Sequence, residues 1–148
     1  MTETTTPPAP SVSTYDPMGM LRSFGELFQT KRFIEQDAFG RKEVALLRLR
    51  LISEEYHEVS DELLDLANGH GDRSKLAREL ADLLYTVYGA AYDFEIPLPG
   101  VFKVVHESNM AKVDAEGNPI LDKHGKILKP IGWKAPDVDS VLFDGASD

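Results

Sequence analysis

The sequence contains no cysteine, and it has no apolar run that approaches the roughly 18 residues of a membrane span. The absence of cysteine excludes a disulfide scaffold, a thiol nucleophile and a cysteine-based zinc site. The N-terminus also lacks the basic-then-apolar order of a signal peptide. We therefore expect a cytoplasmic protein with no membrane partner.

Basic residues are scarce as well. The 148 residues include 16 Lys and Arg against 25 Asp and Glu, which gives a net charge of −9. Nucleic acids and anionic membranes require cationic surfaces, so we expect no nucleic-acid partner. Six of the nine net charges lie in two end segments, 1–17 and 136–148, and neither segment contains a base. Residues 18–135 carry only −3.

The two end segments also differ from the middle in composition. Residues 1–17 are rich in Thr, Ser and Pro, which predicts a disordered N-terminal arm. Residues 136–148 predict an acidic, flexible tail in which only 141–143 are apolar enough to dock. Residues 18–135 are therefore predicted to form the folded domain.

Helical periodicity dominates residues 18–135. Apolar spacings of three and four predict a first helix over 18–30, and a stretch without Gly or Pro predicts a long second helix over 41–68. A third helix is predicted over 72–94 and a fourth over 100–112. Turn residues after 112 predict an irregular arm or a small hairpin. The expected fold is therefore an all-α four-helix bundle with an irregular C-terminal arm.

Acidic residues interrupt the apolar stripe of the second predicted helix. Glu55 lies four residues after Leu51 and four before Val59, and Glu58 lies on the same side one turn along. A buried carboxylate without a partner is costly, so this position calls for a cation or a change of protonation state. For the other acids of this helix a solvated surface is the ordinary interpretation: Glu54, Asp61, Glu62 and Asp65.

The third predicted helix repeats the pattern, because Glu79 and Asp82 border its apolar face. That face is predicted to be buried and includes Leu80 and Leu84. The short loop before this helix makes the two helices antiparallel neighbours, so all four carboxylates are predicted at similar heights. Such a cluster favours Mg²⁺ or Mn²⁺, which take oxygen ligands and leave room for phosphate. A di-iron centre is an alternative, since Glu54-x-x-His57 matches half of its pattern. The partner helix offers no Glu-x-x-His, and His57 faces away from Glu55.

The two-part pattern resembles the all-α nucleoside triphosphate pyrophosphohydrolases, a superfamily that includes MazG, dimeric dUTPases, dCTP pyrophosphatases and phosphoribosyl-ATP pyrophosphohydrolases. The resemblance covers about residues 20–135 and implies a MazG-like bundle that cleaves a (d)NTP to (d)NMP and pyrophosphate. It implies Mg²⁺, with Mn²⁺ able to substitute. The implied metal ligands are Glu55, Glu58, Glu79 and Asp82, and the implied proton acceptor is Glu54 or Glu58.

A second element, Asn109-Met-Ala-Lys112, is similar to the Asn-x-x-Lys element of single-domain members. The resemblance implies that Lys112 neutralises phosphate charge and that Asn109 donates a hydrogen bond. Lys126 and Lys129 are further candidates for the leaving pyrophosphate, with a solvated loop as the alternative. Trp133 is the leading candidate to stack on the base. Three other aromatic residues are weaker candidates with core packing as the alternative: Phe24, Phe28 and Tyr88.

Several leucines of the second helix lie outside its inner stripe, which predicts a homodimer or a dimer of dimers: Leu46, Leu49, Leu64 and Leu66. Some single-domain relatives, the MazZ-like enzymes, prefer dGTP or GTP, and the residues leave that preference open. MazG itself has two tandem domains, and some histidine-pathway enzymes carry a fused cyclohydrolase. The single domain seen here favours a stand-alone nucleotide enzyme. A phosphoribosyl-ATP pyrophosphohydrolase of histidine biosynthesis and a non-catalytic helical interaction module stay open as alternatives.

Overall fold

A computed structural model of the chain describes residues 15–143. Every regular element in that range is helical, so the all-α prediction is confirmed. None of these helices is both long enough and apolar enough to cross a membrane. The elements are α1 (Pro17–Phe28), a 3₁₀ turn (Phe33–Glu35), α2 (Ala38–Ala67), α3 (Arg73–Asp93), α4 (Leu98–Met110) and α5 (Val138–Phe143).

Side-chain caps fix where the first two helices begin. Asp16 accepts a hydrogen bond from the Gly19 amide at 2.9 Å and starts α1. Asp37 accepts one from the Gly40 amide at 2.8 Å and starts α2 three residues before the predicted position. The predicted helix bounds, 18–30 and 41–68, place Asp37 and Gly40 in a connection between helices. That assignment is wrong because the aspartate cap places Gly40 within the first turn of the helix.

Helices α2 and α3 form the centre of the fold as an antiparallel pair joined by a short loop. Gly69 has a φ of +80°, the left-handed conformation that favours glycine after a helix end. Asp72 then caps α3 by accepting a hydrogen bond from the Ser74 amide at 2.8 Å. Helix α1 packs against α3. The predicted antiparallel arrangement is therefore present.

The apolar core of this single chain is small. Among the described residues the buried hydrophobic side chains are Leu21, Val44, Val59 and Ala91. Leu80 and Leu84 were expected on the buried face of α3, but each is nearly half exposed. Large apolar side chains on α2 are also exposed, including Leu46, Leu49, Leu63 and Leu64.

The C-terminal arm is irregular, as predicted, with two isolated antiparallel bridges, Val113–Pro119 and Leu121–Ile127. It returns to α4, where the Trp133 indole Nε1 donates a hydrogen bond to the Ser108 carbonyl at 2.8 Å. Helix α5 packs against α4 and lies within the segment predicted as a flexible tail. Residues 1–14 of the predicted arm and 144–148 of the tail lie outside the described range, and the domain division stays a prediction.

Candidate active site

Three acidic side chains meet where α2 and α3 face each other. Each of Glu55, Glu58 and Glu79 offers a carboxylate oxygen, and these oxygens all lie within 4.8 Å of one another. Glu79 is only 3% exposed, Glu55 is partly exposed and Glu58 is exposed. The group is therefore anchored in the helix pair and open to solvent on one side.

Antiparallel register explains why these residues meet. Residues three or four apart lie on the same face of a helix. Because the two helices run in opposite directions, a residue one turn earlier on α2 faces a residue one turn later on α3. Glu58 consequently lies beside Glu79, and Glu62 pairs with Lys75. The same register brings Asp82 close enough to Glu55 to act on its charge.

The site carries more negative charge than its neighbours neutralise. The hydrogen bond to Glu79 and the charge of Glu55 raise the pKa of Glu58. Burial, followed by the charges of Asp82, Glu79 and Glu54, raises the pKa of Glu55. The pKa of Glu79 is lowered, chiefly because Arg78 Nη2 donates a hydrogen bond to it at 2.7 Å.

The donor set fits a hard divalent cation. Carboxylate oxygens are the ligands that Mg²⁺ and Mn²⁺ prefer, and a small group of carboxylates with an open side leaves positions for phosphate and water. Asp82 is exposed and lies outside the group of three. Its role as the fourth ligand stays a prediction, supported by its proximity to Glu55.

Glu54 and His57 are close to Glu55 and Glu58 in the sequence of α2. Glu54 is exposed and forms a 3.9 Å ion pair with Arg50. His57 is exposed, and its Nδ1 lies 2.6 Å from the Ser53 carbonyl oxygen on its own helix. Neither residue belongs to the group of three. The position of His57 gives no support to a di-iron centre.

The predicted substrate residues form a separate cluster on α4 and the arm. Lys112 Nζ donates to Asn109 Oδ1 at 2.7 Å. Lys112 Nζ and Lys129 Nζ lie 5.3 and 4.2 Å from the centre of the Trp133 ring. Lys126 is exposed, and its amide donates to Asp122. Helix α4 packs mainly on α5, so the described chain does not join this cluster to the carboxylates.

Two ion pairs, each with a buried acid, were not predicted from the sequence. Glu62 was expected on a solvated surface, but it is 3% exposed and paired with Lys75. That expectation is wrong because Lys75 lies opposite it on α3. The register that aligned Glu58 with Glu79 would have found this pair. Arg48 and Asp93 form a second buried pair, with Nε 2.5 Å from Oδ2.

The Glu-x-x-Glu of α2 facing Glu79 of α3 is the arrangement that the resemblance to the all-α pyrophosphohydrolases implies. The sequence profile of the phosphoribosyl-ATP pyrophosphohydrolase family matches residues 21–109, and the chain belongs to this family. The family is part of the MazG-like superfamily, so the resemblance is confirmed. The matched region contains the carboxylate group and ends before Lys112 and the arm. No curated protein matches the chain.

Proposed function

We propose that the protein is a Mg²⁺-dependent nucleoside triphosphate pyrophosphohydrolase. It cleaves a (d)NTP between the α- and β-phosphates to give a (d)NMP and pyrophosphate. The observation that carries this proposal is the group formed by Glu55, Glu58 and Glu79. Membership of a pyrophosphohydrolase family supports the same reaction class.

The ligands for the cation are Glu55, Glu58, Glu79 and Asp82, and Mn²⁺ can substitute. When bound, the ion offsets phosphate charge and polarises the bond that breaks. The excess of carboxylate charge at the site supports this assignment, since the pKa values of Glu55 and Glu58 are raised even though Arg78 lies beside the group.

In the proposed reaction, water attacks the α-phosphorus in line with the leaving group. The bond from the α-phosphorus to the bridging oxygen breaks, and pyrophosphate leaves with that oxygen. Glu54 or Glu58 accepts the proton of the attacking water. Glu54 lies outside the carboxylate group, whereas Glu58 belongs to it.

The cluster on α4 and the arm is proposed to join the carboxylates of a neighbouring chain in an assembly. Lys112, Lys126 and Lys129 would neutralise the leaving pyrophosphate, and Asn109 would hydrogen-bond to it. Because α4 packs mainly on α5, we propose that a second copy brings this cluster to the carboxylates in a homodimer or dimer of dimers. The small core and the exposed leucines of α2 support self-association. Sedimentation at micromolar concentration tests it, and a monomer would contradict it.

Phosphoribosyl-ATP is the second candidate substrate, because the matching profile is that of its pyrophosphohydrolase. The bond that breaks is of the same kind, so the carboxylate group serves either substrate. The family match removes the preference that the sequence analysis gave to a stand-alone nucleotide enzyme over a histidine-pathway enzyme.

A substrate panel distinguishes these functions. The panel contains the eight common (d)NTPs, including GTP and dGTP, and phosphoribosyl-ATP, each with Mg²⁺ and with a chelator. Chromatography resolves monophosphate from diphosphate products. Monophosphate and pyrophosphate from a (d)NTP support the proposal, and activity on phosphoribosyl-ATP alone selects the second candidate. No metal-dependent product from any compound contradicts both and favours a non-catalytic interaction module.

A further inference from the structure

Lysines are concentrated in the arm of an otherwise acidic chain. Residues 123–134 contain four lysines and no acid, although the whole chain carries a net charge of −9. Lys112, just after α4, adds a fifth lysine to this region. The nearby Asp114 and Asp122 each accept hydrogen bonds from two backbone amides of their own turns. The five lysines form no ion pair within residues 15–143.

Two of these lysines approach the ring of Trp133. Lys129 Nζ lies 4.2 Å from the ring centre, and Lys112 Nζ lies 5.3 Å from it. An ammonium group is attracted to an aromatic face because the face carries the negative end of the ring quadrupole. The ring therefore gathers positive charge but does not neutralise it. Two like charges at one ring repel each other, so the arrangement favours the binding of an anion.

Hydrogen bonds to α4 and within the arm fix the position of this ring. The Trp133 indole Nε1 donates to the Ser108 carbonyl at 2.8 Å, and Ser108 Oγ donates to the Lys134 carbonyl at 3.0 Å. The Trp133 amide donates to the Pro130 carbonyl at 3.1 Å and closes a turn. Gly132 occupies that turn with a φ of +83°, a conformation that favours glycine. The indole is consequently held from both the arm and the helix.

A fixed ring gives the lysines an advantage in binding. Lys129 is exposed and Lys112 is partly exposed, so the two side chains face solvent. A free lysine side chain loses rotamer freedom when it binds a ligand, and that loss lowers affinity. Contact with the ring restricts both ammonium groups before the ligand arrives. The cost of ordering them on binding is therefore smaller.

We infer that Trp133 is a positioning residue that holds Lys112 and Lys129 for the pyrophosphate portion of the substrate. It acts through the two lysines and does not itself contact the phosphates. This inference rests on the proposed function only in taking the anion to be part of the hydrolysed substrate. It gives Trp133 a role in place of the base stacking expected from the sequence, since both lysines approach the ring.

Fluorescence tests the cluster directly, because Trp133 is the single tryptophan of the chain. Inorganic pyrophosphate is titrated onto the full chain in the presence of a chelator. We expect a saturable change in emission for wild type, and binding at least as tight for Glu58→Gln. Lys129→Met should weaken binding at least threefold. Lys123→Met, at an exposed lysine of the same arm that is not at the ring, should bind as wild type does.

The emission of the ligand-free chain provides a second measurement. Lys129→Met removes a charge that lies 4.2 Å from the ring centre, so it should alter the emission spectrum before any pyrophosphate is added. Lys123→Met should leave the spectrum unchanged. Identical spectra for wild type and Lys129→Met would overturn the contact between this lysine and the ring.

Two substitutions of Trp133 separate the ring from its hydrogen bond. Trp133→Phe and Trp133→Leu both lose the bond to Ser108, but only phenylalanine keeps an aromatic face. Calorimetry with pyrophosphate should show binding at least threefold tighter for Trp133→Phe than for Trp133→Leu, with both variants folded by circular dichroism. Equal weakening would assign the effect to the hydrogen bond and overturn the role of the ring. Unchanged binding in Trp133→Leu would overturn it as well.

The results separate this inference from the proposed function. Pyrophosphate binding that depends on Lys129 and on the ring supports the inference even if no triphosphate is hydrolysed. Hydrolysis of triphosphates with no pyrophosphate binding, or with binding that Lys129→Met and Trp133→Leu leave unchanged, overturns the inference and leaves the proposed function intact.

Discussion

Acidic residues on the same two helices have very different partners. Asp93 and Glu62 are almost completely buried, and each is paired with a cation, Arg48 or Lys75. Between these pairs lie Glu55, Glu58 and Glu79, where Arg78 is paired with Glu79 on its own helix. Where an acid supports the fold, the opposite helix supplies a positive charge. In this middle layer Glu55 and Glu58 form no ion pair within residues 15–143, which is the arrangement expected of a site that receives a positive charge from a ligand.

Exposure sharpens this comparison. Asp93 and Glu62 are closed off from solvent, whereas Glu58 is exposed and leaves the middle layer open. The paired acids and the unpaired acids should therefore respond to different substitutions. Substitutions at the buried pairs should alter stability, and substitutions at Glu55 and Glu58 should alter catalysis.

The largest effect is expected from Glu58→Gln, which removes a carboxylate from the open group. The substitution keeps the shape of the side chain but removes a metal ligand or proton acceptor. We therefore expect kcat to fall by about 100-fold or more. Pyrophosphate release with the best substrate of the panel measures this. Asp61→Asn, at an exposed acid of the same helix, is the control and should retain activity. Full activity in Glu58→Gln would place the site elsewhere.

Arg48→Met tests the paired layer. It leaves the Asp93 carboxylate buried without a cation, and breaking such a pair costs about 3–5 kcal/mol of stability. Urea unfolding followed by circular dichroism measures the loss. The matched change Arg50→Met, at an exposed arginine whose partner Glu54 is also exposed, should have little effect on stability. Similar losses for both variants would contradict the assignment of Arg48 and Asp93 to a stabilising buried pair.

A smaller effect is expected from pH in the absence of metal. The raised pKa values of Glu55 and Glu58 mean that the folded chain binds their protons more tightly than the unfolded chain. These two groups therefore stabilise the fold as pH falls through their folded pKa toward the unfolded value of about 4.3. Glu79, with its lowered pKa, acts in the opposite sense below that window.

The double variant Glu55→Gln/Glu58→Gln isolates this effect. It should melt at a higher temperature than wild type at pH 7, and the difference should shrink as pH falls toward 5. Thermal melts of both proteins in a chelator measure it. A difference that grows as the pH falls would show that these carboxylates are stabilised in their charged form without metal.

Periodicity predicted the helices and the antiparallel pair because each of those depends on local spacing and on one short loop. The same register argument brought Glu55, Glu58 and Glu79 together. The same argument also pairs Glu62 with Lys75, but it was applied only to the acids beside the apolar faces. The start of α2 was missed because Gly40 signals a helix end, whereas the Asp37 cap begins the helix before it. The exposure of Leu80 and Leu84 was missed because burial depends on packing between elements.

The arm shows a different limit. Asn109 and Lys112 are three residues apart across the end of α4, so their contact depends on local spacing alone. The approach of Lys129 to Trp133 depends on how the arm folds back, which turn chemistry alone does not specify. Whether this cluster meets the carboxylates of another copy depends on assembly, which lies beyond the periodicity of one chain.

The most direct test of the cation site formed by Glu55, Glu58 and Glu79 is a Mg²⁺ titration of thermal stability at pH 7. Wild type should gain stability with Mg²⁺, by about 2.7 kcal/mol at 100 times the dissociation constant. Asp61→Asn should gain as much, and Glu58→Gln should gain far less. Equal gains in wild type and Glu58→Gln, or no gain in wild type, would contradict the assignment of Glu55, Glu58 and Glu79 as a cation site.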